Sequence, residues 1–235
     1  QVYESLEKAD PQATWLQMGW LFYNDRQYWL KDKVQAYLTS FPKDRQLMLD
    51  YYCERQEVWQ RTENFFGVPY IWCYLGNFGG NTMLSGNLKE IDRRLENTFA
   101  CGGENFEGIG STLEGFDCNP FVYEYVLEKA WDMPQHHDIA QWTQCLADQR
   151  TGKVDENARA AWKILVDRAS VANIIVEKDA MLSGEDVVDA RPAFDHHPIT
   201  YHARSRFEYD NSNLREALRL LLAAEGRNTA YSFDV

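Results

Sequence analysis

The chain's 235 residues, 45% hydrophobic and 14% aromatic, suffice to bury a sizeable core in one or two domains. A net charge of −12 argues against a nucleic-acid partner, because phosphate binding needs clustered Lys and Arg. No apolar stretch approaches the roughly 20 residues that cross a bilayer, and the opening at Gln1 is expected to lie inside a longer protein.

In chain order, residues 14–19 form a strand-like run, and residues 28–38 follow with Leu30, Val34, Tyr37 and Leu38 at helical spacing. A second strand over 47–52 precedes a polar stretch over 54–64. A third strand over 69–75 leads to a helical segment over about 84–96. The run from Phe106 supplies a fourth strand and closes on Glu114. Strands separated by crossover segments pair in parallel. Four such units make half of an eight-stranded barrel, and half a barrel leaves strand edges and an apolar interior open, so the chain reads as incomplete by itself.

After Glu114 only helical patterns are convincing. Asn119 and Pro120 form an N-cap and first-turn pair ahead of Phe121, Val122, Tyr125 and Val126. Asp155 opens a helix carrying Ala161, Ile164, Leu165 and Arg168. Asn213 and Glu216 have capping-box spacing before the stripe Leu214, Ala217, Leu218, Leu221 and Leu222. Residues 183–202, with Pro192 and Pro198, read as a long loop.

Barrel enzymes place their chemistry at the C-terminal ends of strands. Here those ends carry Trp20, Asp50, Asn77 and Glu114. Glu114, with glycines leaving room around it, suits a catalytic acid or nucleophile; a structural carboxylate is the alternative. Trp20 either walls a sugar subsite or plugs the top of the barrel. Asp50 either bonds a ligand or caps a helix. Asn77 beside Gly79 and Gly80 either meets sugar hydroxyl or acetamido groups or forms a plain helix-entry turn. Eight Trp and 13 Tyr serve core packing first and sugar stacking second.

Several chemistries are disfavoured. The five cysteines form no CxxC pair, so neither a zinc knuckle nor a disulfide scaffold is indicated, and Cys53 and Cys73 read as buried hydrophobes. The histidines occur as adjacent pairs, His136-His137 and His196-His197, plus His202, a spacing that points side chains apart rather than onto one metal. There is no GxSxG elbow, P-loop or GxGxxG, and no cofactor is called for.

The runs Trp15-Leu16-Gln17-Met18-Gly19-Trp20-Leu21-Phe22, Pro69 through Asn81 (PYIWCYLGNFGGN), and Gly108-Ile109-Gly110-Ser111-Thr112-Leu113-Glu114-Gly115 together resemble the α-N-acetylglucosaminidase family, glycoside hydrolase family 89. The later Tyr209-Asp210-Asn211-Ser212-Asn213 matches as well. The resemblance implies an α/β fold: the C-terminal half of the (β/α)8 catalytic barrel over 1–118, then the beginning of an all-helical domain over 119–235. It further implies a retaining exo-glycosidase that removes terminal α-linked N-acetylglucosamine from glycosaminoglycan or mucin-type glycans.

On that resemblance Glu114 is the nucleophile, and the acid/base Glu lies on an earlier strand outside this sequence, which would leave the chain alone inactive. Trp20 corresponds to a pocket wall, Asn77 to the family's most recognisable loop, and Tyr209 to the pocket rim. Gly76 stands where many members have His. The partners implied are a glycan with terminal α-GlcNAc and the remainder of the same enzyme. With no Asn-x-Ser/Thr acceptor in the sequence, a periplasmic or secreted location is expected over a lysosomal one. A non-catalytic carbohydrate-binding or scaffold module is the alternative to an enzyme.

Overall fold

In the computed structural model the described residues are 2–76, 86–114, 119–132, 138–169, 176–177, 180–181 and 211–225. A helix, α1 (Val2–Ala9), precedes β1 (Trp15–Met18), α2 (Trp20–Asn24), α3 (Lys31–Leu38), β2 (Gln46–Asp50), β3 (Tyr70–Tyr74), α4 (Leu88–Cys101) and β4 (Phe106–Ser111). The four strands lie close to their expected bounds and pair in parallel in the order β1-β2-β3-β4. Leu16 stands opposite Leu47, Leu49 opposite Ile71, and Trp72 opposite Ile109. Sequential parallel order follows when each crossover returns the chain to the same edge with the same hand.

One face of this sheet is covered. Met48 and Tyr70 are buried in a core with Phe22, Val34, Leu38, Trp59 and Phe65. The buried amides beside that core are satisfied in series: Tyr37 donates to Gln17 at 2.8 Å, Gln17 to Gln46 at 3.0 Å, and Gln46 to the Leu38 carbonyl at 2.9 Å. On the other face Leu16 and Met18 are 56% and 55% exposed, and Leu47, Leu49 and Ile71 are half-buried.

The connections depart from simple periodicity for local polar reasons. α3 starts at Lys31 rather than at Tyr28, because the Asp25 carboxylate accepts the Tyr28 N–H at 3.1 Å and closes a turn first. α4 starts at Leu88, with Asn87 accepting the Glu90 N–H at 3.2 Å. Between β2 and β3 the polar stretch forms 3-10 turns, Trp59–Arg61 and Asn64–Gly67. There Glu63, Asn64, Phe65 and Phe66 have φ of 48°, 54°, 51° and 54°. Left-handed backbone costs L-residues about 1–2 kcal/mol each. Asn105 offsets it by donating to the carbonyls of Asn64 at 2.7 Å and Val68 at 2.6 Å, and the Lys43 ammonium donates to the Phe66 carbonyl.

The chain divides into two compact units: Gln1–Leu75, Asp92–Leu113 and Val126–Pro134 in one, and Gly76–Ile91, Glu114–Tyr125 and Gln135–Val235 in the other. The first holds the sheet. α5 (Pro120–Asp132) begins at the expected proline and brings Lys129 to 2.6 Å from Asp92, a buried ion pair in that unit. In the second unit follow α6 (Ile139–Thr151) and α7 (Glu156–Ile164), the latter widening into a π turn over Leu165–Ala169. Later come a short antiparallel ladder of β5 (Val176–Glu177) and β6 (Ala180–Met181), and then α8 (Asn211–Ala223).

Ala161, Ala217 and Leu220 form the buried contact of α7 with α8. Asp155 caps α7 as expected, accepting the N–H groups of Asn157 and Ala158 at 3.0 Å. Its other oxygen accepts the Glu225 N–H at 2.9 Å, which fixes the start of α7 to the end of α8. Three expectations are corrected in this half. The ladder of β5 and β6 stands where helices alone were expected; α6 is an additional helix; and α8 already runs from Asn211, so Asn213 sits inside it rather than capping it.

Candidate functional site

The first unit gathers polar and aromatic side chains at the C-terminal ends of its strands. Gly19 leaves β1 pressed against β2: its N–H donates to the Leu49 carbonyl at 2.8 Å, and a Cβ would lie 2.6 Å from that oxygen. Only glycine permits this approach. Trp20 then opens α2 half-buried, stacked on Tyr23 at 5.0 Å and edge-on to Tyr51 at 5.4 Å. Tyr52, almost fully buried, meets Tyr23 edge-on at 5.4 Å.

Asp50 ends β2 and is 0% exposed. Its carboxylate accepts the N–H of Val58 at 2.9 Å and of Trp59 at 3.0 Å, so of the two roles open to it the structure shows the capping one. Burial pushes its carboxyl up to about 7, outweighing those two N–H groups, and neighbouring Glu57 adds like charge. Burial also raises Glu57, which Arg94 opposes through an ion pair. Glu54, nearly buried, accepts the Leu75 N–H on both oxygens at 3.1 and 3.2 Å. Cys53 donates its N–H to the Cys73 carbonyl at 3.1 Å, and burial pushes both thiols up, which removes them as thiolate nucleophiles.

At the end of β4 the Thr112 N–H donates to the Tyr74 carbonyl at 3.0 Å, and its hydroxyl donates to the Tyr51 carbonyl at 2.7 Å. The Leu113 N–H donates to the Ser111 hydroxyl at 3.2 Å. Glu114 follows, exposed. Gly76 has φ 77°, a backbone that favours glycine. Asn77, Tyr209 and all five histidines lie outside the described residues. Among the described residues no three His, Cys, Asp or Glu side chains are grouped to hold a metal ion, and no helix is long and apolar enough to cross a membrane.

Sequence reasoning missed Glu54, Glu57 and Thr112. Glu57 and Thr112 carry no local pattern, and Glu54 falls in a stretch read only as polar. A groove of about 280 Å³ in the second unit is lined by Thr143, Glu156, Arg159 and Lys163 among others. Arg159 is held bidentate by Asp148 at 2.6 and 2.9 Å and Lys163 by Asp167 at 2.6 Å, so its cations already have carboxylate partners. None of the predicted site residues lines it.

Successive parallel strands with aromatic and carboxylate side chains at their C-terminal ends are the layout of the α/β-barrel hydrolases. The family model described as "Alpha-N-acetylglucosaminidase (NAGLU) tim-barrel domain" matches residues 1–133, and the corresponding C-terminal domain model matches 142–235. The chain therefore belongs to the alpha-N-acetylglucosaminidase family. It is 34% identical to human alpha-N-acetylglucosaminidase over 237 aligned positions, covering all of this chain and 31% of that protein.

Two solved structures of a family 89 glycoside hydrolase from Clostridium perfringens share the fold at 24% identity, each covering 94% of this chain. The complex with 2-acetamido-1,2-dideoxynojirmycin has a TM-score of 0.76 over 24% of its own chain, and the complex with PUGNAc 0.74 over 23%. A further structure of that enzyme, with two Glu→Gln exchanges, holds its substrate GlcNAc-alpha-1,4-galactose and has a TM-score of 0.74. The chain thus spans about a third of the human relative and a quarter of the bacterial one.

Proposed function

We propose that the protein carrying this chain is a retaining exo-α-N-acetylglucosaminidase, acting on terminal α-linked GlcNAc of glycosaminoglycan or mucin-type glycans. Glu114 is its nucleophile: it attacks the anomeric carbon as the glycosidic bond breaks and an acid/base Glu on an earlier strand protonates the departing oxygen, giving a glycosyl ester that water, deprotonated by the same Glu, then hydrolyses. The observation that carries this reading is an exposed carboxylate just past the C-terminal end of β4, in the motif that resembles the family's nucleophile segment. The substrate complex of the bacterial relative, obtained with two glutamates exchanged, supports a two-carboxylate mechanism and a GlcNAc-terminated glycan.

The four strands are read as the second half of the (β/α)8 barrel. More than half of Leu16 and of Met18 is exposed on the face that such a barrel would enclose, in support of further strands completing it. Trp20, backed by Tyr23 and Tyr51, walls the sugar pocket, with Asn77 and Tyr209 as further contacts. An extracytoplasmic location completes the reading.

Glu114→Ala in the full-length protein should lower hydrolysis of an aryl α-GlcNAc by several orders of magnitude, with azide restoring turnover and yielding a glycosyl azide. Undiminished turnover removes Glu114 from the role. GlcNAc binding by calorimetry with no hydrolysis in the unaltered protein would indicate a carbohydrate-binding module instead.

A further inference from the structure

Among the described residues β4 pairs with β3 in the sheet, yet Thr112, just beyond its end, bonds both β3 and the residue that follows β2. Its backbone N–H donates to Tyr74, the last residue of β3, at 3.0 Å. Its hydroxyl reaches past β3 and donates to the carbonyl of Tyr51, the first residue after β2, at 2.7 Å. Thr112 is 9% exposed, so this bond is protected from water, and a short O–H···O contact between elements so far apart in sequence fixes their relative height. The ring of the same Tyr51 meets Trp20 in a T-shaped contact at 5.4 Å.

Past Thr112 the Leu113 N–H donates to the Ser111 hydroxyl, and Glu114 is the next residue along the chain. A valine in place of Thr112 would fill the same space without the donor, removing the hydroxyl bond to the Tyr51 carbonyl while the N–H bond to Tyr74 remains.

We propose that Thr112 is a positioning residue for the nucleophile: its hydroxyl bond to Tyr51 holds the end of β4, and with it Glu114, at the height where the carboxylate meets the anomeric carbon. This rests on the reading of Glu114 as nucleophile. Attack requires reacting atoms about 3–3.5 Å apart and aligned, so a displacement near 1 Å costs on the order of a hundredfold in rate while sugar binding is retained.

The test compares Thr112→Val and Thr112→Ser with the unaltered full-length protein on an aryl α-GlcNAc, with Glu114→Ala alongside. Valine is expected to lower kcat by about 10- to 100-fold with KM within about twofold, and serine, which keeps the donor, to recover most of the rate. The shape of the pH–rate profile should not change, because no charge is altered. Should the valine variant not accumulate folded, Thr112→Ala against Thr112→Ser gives the same comparison.

A valine kcat within twofold of the unaltered protein, a change confined to KM, or a serine variant as slow as valine each overturns the proposal. If that happens while Glu114→Ala is inactive and rescued by azide, only the positioning role is lost. If Glu114→Ala is fully active, the nucleophile reading itself has failed, whatever Thr112 does.

Discussion

At the N-terminal end of β3 the chain runs through four left-handed residues held by Asn105 and Lys43, whereas past its C-terminal end Glu54 accepts the N–H of Leu75 and Thr112 bonds across to Tyr51. Both ends therefore spend side chains on backbone groups. The difference is what they leave outside. The lower end turns Phe65 and Phe66 into the core, and Asn105 and Lys43 bond the carbonyls of its turn. The upper end buries Asp50 and Glu57 and leaves Trp20 half-buried. In barrel folds the lower face serves stability and the upper face chemistry, and the two sets of restraints can be separated by mutation.

The upper end should be the more sensitive. Asp50→Ala leaves the Val58 and Trp59 N–H groups buried without their acceptor and is expected to cost about 3 kcal/mol in urea unfolding. A loss under about 0.5 kcal/mol would show that the carboxylate is dispensable there. The same residue sets a pH dependence. Its carboxyl is pushed from 3.8 to about 7 in the fold, so between those values the folded state keeps a proton that the unfolded state has released.

Stability from this group is therefore full below about pH 4 and falls as pH rises toward 7, by up to about 1.4 kcal/mol per pH unit. Asp50→Asn should flatten that part of the stability–pH curve. An unchanged curve would mean that Asp50 is ionised throughout.

The lower end predicts stability effects without kinetic ones. Asn105→Ala removes the donor to two carbonyls of the left-handed turn and is expected to cost about 2 kcal/mol while kcat stays unchanged. A matching fall in kcat would erase the distinction between the two ends. Glu63→Gly relieves one left-handed residue, at φ 48°, and loses only an exposed ion pair with Lys31. Set against glycine's extra entropy, a gain of about 0.5 kcal/mol is expected in thermal unfolding. A loss of that size would mean that the Lys31 pair outweighs the strain.

The same contrast explains what could be read from the sequence. Strands rich in Trp, Tyr, Ile and Leu announce themselves by composition and alternation, so the four-strand parallel core and Glu114 beyond β4 were legible. So was Asp155, whose partners Asn157 and Ala158 are its chain neighbours. Thr112 and Glu54 were not read as functional, because their partners Tyr51 and Leu75 become neighbours only once the strands are aligned. The left-handed turn was hidden for another reason: of Glu-Asn-Phe-Phe only Asn64 visits that backbone readily, and the rest of the turn is supported from outside by Lys43 and Asn105. Asp50 reads from the sequence as a strand-end carboxylate with two possible roles, and its bonds to the Val58 and Trp59 N–H groups form only once the chain folds back on it.

The central claim is that Glu114 bonds covalently to the sugar. The full-length protein, incubated with a fluorinated N-acetylglucosamine inactivator, digested and mapped by mass spectrometry, tests it most directly. A hexosamine adduct on the peptide containing Glu114, localised to that carboxylate, is the predicted result; an adduct on a different carboxylate would contradict it.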